Sequence, residues 1–246
     1  MRRLAHSYGA VEALAGIDLV VKPGEVVGFT GPSGCGKSTL LELVAGLLEP
    51  TGGSVTAGGV EAPPERLARC AYMPQRDLLF PWYSAIDNAA LALRNRGAGR
   101  AEARRSAHAL FDRFGLAGFE SAAPSELSGG MRQRVAFLRT LVAGKPIVLL
   151  DEPFASLDAL TRADMQGWLA GALEAERRTT LLVTHDIEEA LYLCDRVLVL
   201  TPRPGRVAGA VSAPVPRALG RDEAVVSPGF VAARERALRI LREASR

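Results

Sequence analysis

Glycines, hydroxyls and one lysine meet in a single short run, Gly31-Pro32-Ser33-Gly34-Cys35-Gly36-Lys37-Ser38-Thr39. Residues without side chains let several backbone N–H groups converge on phosphate oxygens, and a helix opening at Lys37 adds partial positive charge at the same place. Lys37 is suited to neutralise β- and γ-phosphates, the Ser38 hydroxyl to ligate Mg²⁺, and Thr39 to add a phosphate contact. The run lies between an apolar strand pattern over 26–30 and a helical pattern over 37–48, the context that this chemistry needs. A nucleoside triphosphate is the expected ligand.

Two further constellations extend the chemistry. Leu149-Leu150-Asp151-Glu152-Pro153 ends an apolar run with paired carboxylates, placed where parallel sheets bind ligands. Asp151 is suited to hold Mg²⁺ and Glu152 to act as general base on an attacking water; the plainer reading is a cap for the next helix. The second is Leu127-Ser128-Gly129-Gly130, followed by Met131-Arg132-Gln133-Arg134, which begins 89 residues after Ser38. Ser128 as N-cap and two glycines leave bare N–H groups at a helix start, either a second anion site or an ordinary capped helix.

These residues must be held by a scaffold that the rest of the chain has to supply. Apolar runs over 26–30, 69–73, 147–150, 180–183 and 197–200 alternate with helical patterns, which predicts an α/β fold with a mostly parallel sheet. Residues 84–96, with Ser84 as N-cap, and 100–114 predict helices separated by a break at 97–99. The expected organisation is one domain over 1–246: a core of 1–75 and 146–210, an inserted helical subdomain over 76–145, and a tail over 211–246. Pro202-Arg203-Pro204-Gly205 reads as a turn, the tail from Ala213 is Pro-rich, and 230–243 reads as an amphipathic helix packed on the core.

Composition narrows the classes. At 246 residues and 48% hydrophobic the chain can bury a sizeable core. No run approaches the roughly 18 apolar residues of a membrane span. No secretory segment follows Arg2-Arg3, so a cytoplasmic protein is expected, held at a membrane only by a partner. The net charge of +3 comes mostly from dispersed arginines, which argues against a nucleic-acid partner. Cys35, Cys70 and Cys194 form no metal-ligand spacing and imply no disulfide framework, although alkylating Cys35 inside the loop would block a nucleotide.

Taken together, the phosphate loop, the Ser128 segment and the Asp151-Glu152 strand end resemble those of the ATP-binding subunit of ABC transporters, and the resemblance runs over residues 8–207. It implies a P-loop NTPase core of the RecA-like kind, ATP and Mg²⁺ as cofactors, and two copies facing head to tail. Ser128, Gly129 and Gly130 of one copy would then contact the γ-phosphate bound by Lys37 of the other. By the same resemblance Tyr8 stacks on adenine, Gln75 senses Mg²⁺ and the attacking water, Asp158 belongs to a loop crossing the dimer interface, and His185 is the switch histidine at the γ-phosphate. The family places a strand before the adenine-stacking aromatic, and here residues 2–5 leave room for only a short one.

The run Arg76-Asp77-Leu78-Leu79-Phe80-Pro81-Trp82 is apolar and aromatic. It falls where the family forms its groove, near Gln75 to Trp82, for the coupling helix of an integral membrane permease. That run, Phe154 to Arg162 and Pro202-Arg203-Pro204-Gly205-Arg206 look like the importers of nitrate, sulfonate, taurine and thiamine precursors. The implied protein is a homodimeric ATPase at the cytoplasmic face of the cell membrane, served indirectly by a solute-binding protein. A soluble ABC ATPase of DNA repair or translation is the alternative. An unrelated P-loop kinase or GTPase is opposed by the Ser128 segment and by the lack of a guanine-reading N-K-x-D.

Overall fold

The computed structural model describes residues 1–213 and 219–245. The chain opens with two antiparallel strands, β1 (Arg2–Tyr8) and β2 (Val11–Ile17), joined by a tight turn at Gly9. β1 is longer than the sequence led us to expect. Pairing with β2 on one side and with residues 52–54 on the other gives its backbone partners along both edges. The next elements are β3 (Val26–Thr30), α1 (Lys37–Ala45), β4 (Gly52–Ser54), α2 (Pro63–Arg69) and β5 (Cys70–Met73). α1 stops before its predicted end, where the N–H groups of Leu47 and Leu48 fold back onto the Glu42 carbonyl. α2 went unread because it is short and polar; its one buried side chain is an arginine, Arg66.

A helical stretch follows: α3 (Ala85–Ala89), α4 (Leu91–Asn95), α5 (Arg100–Phe111) and α6 (Gly129–Val142). The single helix expected over 84–96 is broken into α3 and α4 at Ala90. Ser84 does cap its start, accepting from the Asp87 N–H at 3.3 Å. The helix expected over 100–114 ends at Phe111 and gives way to a 3₁₀ turn, Asp112–Phe114. Asp87, buried, ties the stretch together by accepting from Arg100 at 2.9 Å and Arg104 at 2.6 Å.

The chain returns through β6 (Ile147–Asp151), α7 (Ala159–Glu176), β7 (Thr179–Val183), α8 (Ile187–Leu193), β8 (Arg196–Leu200) and β9 (Val207–Ser212). It closes with α9 (Arg221–Val226) and α10 (Pro228–Ala244). The main sheet runs β5-β6-β7-β3-β8-β9, parallel except for β9. Alternate residues of its strands face different cores, as the two-residue period of a strand requires. Val148 and Leu150 of β6 join the helical stretch, α7 and α8, whereas Ile147 and Leu149 join α1, β1 and β2. The smaller antiparallel sheet, β2-β1-β4, was not anticipated, because its strands are short and their exposed residues do not alternate regularly with buried ones. α10 packs through buried Phe230, Ala233 and Ala237, as expected of the amphipathic segment. The prolines Pro214 and Pro216 of the Pro-rich stretch lie outside the described residues.

Candidate functional site

Parallel register brings the functional loops to one edge. Met73 pairs with Leu150, Asp151 with Val183, and Phe29 with Val183, so β5, β6, β7 and β3 end level with one another. The loops leaving these ends carry Gln75, Asp151-Glu152, His185 and the run from Gly31 to Ser38. In that run Gly36 holds φ at 96°, and a Cβ there would meet Leu14 Cδ2 at 2.7 Å and the Ala13 carbonyl at 2.8 Å. Only glycine can make this turn, which sets the start of α1. Lys37 is buried, and its ammonium donates to the carbonyls of Gly31 at 2.8 Å and Pro32 at 3.0 Å. Cys35 is also buried, and burial pushes its thiol above the ordinary range.

A cavity of about 380 Å³ opens here, within the size range of small-molecule sites. It is lined by Tyr8, Ser33, Gly34, Lys37, Ser38 and Thr39 on the loop side and by Gln75 and Glu152. Tyr8 ends β1 with about half its surface exposed, at 49%. Its hydroxyl shares a hydrogen bond with Thr39 Oγ1 at 3.3 Å, and its ring meets the His6 ring edge to face at 4.6 Å. Those two contacts fix the plane of the ring at the mouth of the cavity.

The acidic pair is divided by its surroundings. Glu152 adopts φ of 48°, a left-handed conformation that costs a non-glycine residue on the order of 1 kcal/mol or more. Its N–H donates to the Val183 carbonyl at 2.8 Å, which holds the turn. Its Oε2 then receives Gln75 Nε2 at 3.3 Å and lies 3.3 Å from His185 Nδ1. Three residues far apart in the chain thus meet on one carboxylate oxygen. Asp151 turns inward instead. Burial pushes its carboxyl above the ordinary range, against the Ser38 hydroxyl bond, and its Oδ1 has no hydrogen-bond partner. A buried, unsatisfied carboxylate oxygen beside a serine hydroxyl suits a divalent cation, whose charge would favour the ionised form. Gln75 and Ser38 line the same cavity.

Among the described residues, Ser128, Gly129, Gly130 and Asp158 lie outside this cavity. Ser128 caps α6, accepting from the Met131 N–H at 3.2 Å, and Ser128 and Gly129 are exposed. Asp158 caps α7 from an exposed position, accepting from the Thr161 N–H at 3.0 Å. The two starts are neighbours, since a Cβ on Gly130 would stand 3.3 Å from Leu157 Cδ2. The segment after Gln75 is braced against α6: Arg132 Nε donates to Asp77 at 3.1 Å, and Arg139 donates to the carbonyls of Asp77 and Leu78 at 2.7 and 2.9 Å. Beyond that brace Leu78, Phe80 and Trp82 present apolar surface, with Trp82 72% exposed.

The sequence reading missed three neighbours of the cavity. Val11 and Ala13 of β2 line it, as does Arg203, in the loop between β8 and β9. An arginine in a Pro-rich turn after a buried strand was the available signal, since that turn leaves the same carboxyl edge of the sheet.

Comparison with known proteins identifies the family. The ABC transporter family model matches residues 14–155. The aliphatic sulfonates import ATP-binding protein SsuB 1 of Rhodococcus jostii is 49% identical, covering 80% of this chain and 77% of its own length. The formylaminopyrimidine import ATP-binding protein ThiZ of Halalkalibacterium halodurans is 46% identical, covering 76% and 73%. Among solved structures, a dimeric post-hydrolysis state of the ATP-binding cassette MJ0796 bound to ADP and Pi superposes with a TM-score of 0.79. It is 30% identical and covers 87% of this chain and 98% of that one.

Proposed function

The chain belongs to the ABC transporter family, and from that premise we propose that it is the ATP-hydrolysing subunit of an importer for a small solute. It is an α/β P-loop NTPase, and its named relatives are import subunits, which does not favour the DNA-repair or translation reading. The observation that carries the proposal is the division of the site. The phosphate loop, Gln75 and Glu152 line one cavity and His185 meets Glu152 beside it, while the turn at Ser128 to Gly130 stands elsewhere on the same chain. A head-to-tail dimer with a self-complementary interface would bring the second to the first, twice over.

In this dimer the adenine stacks on Tyr8 and the triphosphate lies on the N–H groups of Gly31 to Ser38. Lys37 exchanges its loop carbonyls for phosphate oxygens. Glu152 takes a proton from the attacking water, and Gln75 and His185, already bonded to its carboxylate, fix which oxygen faces that water. Ser38, Gln75 and Asp151 would hold Mg²⁺, which when bound offsets charge on the β- and γ-phosphates. Ser128, Gly129 and Gly130 donate to the γ-phosphate of the opposite site, and Asp158 sits at the crossing of the two chains. ATP therefore favours the closed pair, and hydrolysis with product release reopens it, because only the closed state makes both sets of contacts.

Gln75 feels the γ-phosphate and leads into the segment braced by Arg132 and Arg139, so closure is passed to the apolar surface of Leu78, Phe80 and Trp82. That surface suits a helix of an integral membrane permease. Among the described residues no helix is long and apolar enough to cross a membrane, which fits a subunit held at the cytoplasmic face by that permease. The solute is chosen by the permease and by a separate solute-binding protein. Sulfonate-like and pyrimidine solutes follow the named relatives. Glu152→Gln should bind ATP, lose most turnover and accumulate as an ATP-bound dimer by light scattering. Normal hydrolysis by this variant would remove Glu152 from the role of base.

A further inference from the structure

We propose that Arg203 is a nucleotide-binding residue, its guanidinium gripping the triphosphate from the loop between β8 and β9. This rests on the ATPase reading above and adds a cation that the phosphate-loop motif does not contain. Arg203 lines the same cavity as Lys37 and Glu152. Its Nε donates to the Gly34 carbonyl at 3.2 Å, and one of its terminal nitrogens stands 3.1 Å from where a Gly34 Cβ would be. The head group is thus aimed at the middle of the phosphate loop. Among the described residues its remaining N–H groups have no acceptor and no carboxylate pairs with it. Lys37, by contrast, already spends its ammonium on two carbonyls.

The loop that carries Arg203 is fastened at several points, so its position is built into the fold. Thr201 N–H donates to the Arg206 carbonyl at 2.9 Å, and Thr201 Oγ1 accepts from the Arg206 N–H at 3.0 Å. Gly205 N–H donates to the Ala13 carbonyl at 2.9 Å, and Ala15 N–H donates to the Gly205 carbonyl at 3.0 Å. Gly205 also lies so close to the phosphate loop that a Cβ on it would meet the Cys35 carbonyl at 2.1 Å. Pro202 and Pro204 fix φ on either side of Arg203 and reduce the freedom that binding must remove. A planar guanidinium held this way presents parallel N–H donors to phosphate oxygens, the geometry at which arginine exceeds lysine.

The test uses the full chain and compares wild type, Arg203→Ala and Arg203→Lys by titration with fluorescent ATP, ADP and adenosine analogues. Arg203→Ala should weaken ATP about tenfold, the size of a charge-assisted hydrogen bond, and leave adenosine unchanged. Arg203→Lys should recover part of the loss, because it keeps the charge and not the fork. Raising salt from about 0.05 to 0.5 M should shrink the gap between wild type and Arg203→Ala severalfold, since it shortens the screening length to about 4 Å. Unchanged ATP affinity in Arg203→Ala overturns the proposal. So does a loss shared by adenosine, or a gap that ignores salt, either of which makes Arg203 a strut for Gly34. Wild type that binds no ATP at all sinks the ATPase reading together with it.

Discussion

Replacing Glu189 by glutamine should stabilise the protein at alkaline pH and leave it nearly unchanged in mild acid. Glu189 lies on α8, 4% exposed, with Gln166 Nε2 donating to its Oε2 at 3.1 Å and no partner for its Oε1. Burial pushes its carboxyl from an ordinary 4.5 up to about 7, opposed by Thr184, by the Gln166 hydrogen bond and by Arg162, and reinforced by Asp186. The folded chain therefore holds this proton up to about pH 7, whereas the unfolded chain releases it near 4.5. Between those values the folded state binds more protons, so stability falls as pH rises, and it stays reduced above about pH 7. At about 1.4 kcal/mol per pH unit, the cost reaches about 3 kcal/mol at pH 8, of which about 2.5 kcal/mol opens between pH 5 and pH 8. Glutamine does not ionise and escapes that cost, while its carbonyl still accepts from Gln166.

Urea unfolding of both proteins at several pH values measures the difference directly, and titrations elsewhere in the chain cancel in the comparison. The reasoning fails if the offset between the two is flat from pH 5 to pH 8. It also fails if the glutamine variant is the weaker one at pH 8, which would mean that Arg162 stabilises an ionised Glu189 after all. The outcome bears on the site, because Thr184, which acts on the Glu189 carboxyl, is the residue next to His185.

Other outcomes follow from the same geometry. Ser128→Arg, in a Glu152→Gln background, should bind ATP and fail to dimerise, as charge and bulk enter the turn that meets the opposite γ-phosphate; an unimpaired dimer by light scattering refutes the two-chain site. Phe137→Ala should cost about 3–5 kcal/mol in urea unfolding, because its 1% exposed ring sits among Phe114, Phe154 and Trp168; a loss below about 1 kcal/mol would mean the cluster closes over the gap. Gly205→Ala should retain its circular dichroism spectrum and lose ATP affinity, since the added methyl group strikes the Cys35 backbone at 2.1 Å; wild-type affinity would show that the loop yields.

What the sequence determined by itself was local and periodic. The phosphate loop was legible because its chemistry needs glycines, a lysine and a serine in one continuous run, flanked by a strand and a helix. The parallel strands were legible because burial on both faces makes them continuous apolar runs, and β3 and β6 to β8 fall within a residue or so of where those runs lie. Capping at Ser84 and Ser128 acts over three residues and was legible as such, whereas the capping of α7 by Asp158 came from the structure.

The tertiary structure decided what depends on partners distant in the chain. β1 gained its full length from two neighbours, and the break at Ala90 and the early end of α5 at Phe111 reflect packing that overrides helix propensity. Gln75 and His185 were named through resemblance, yet their meeting on one oxygen of Glu152 comes from strand register, which no local pattern encodes. The sequence likewise gave no sign that Asp151 would turn inward while Glu152 turned outward, since that choice follows from a backbone strain held by Val183. Arg203 was read as part of a turn. Only the approach of Gly205 to Cys35, a contact across most of the chain, carries that arginine to the phosphate loop.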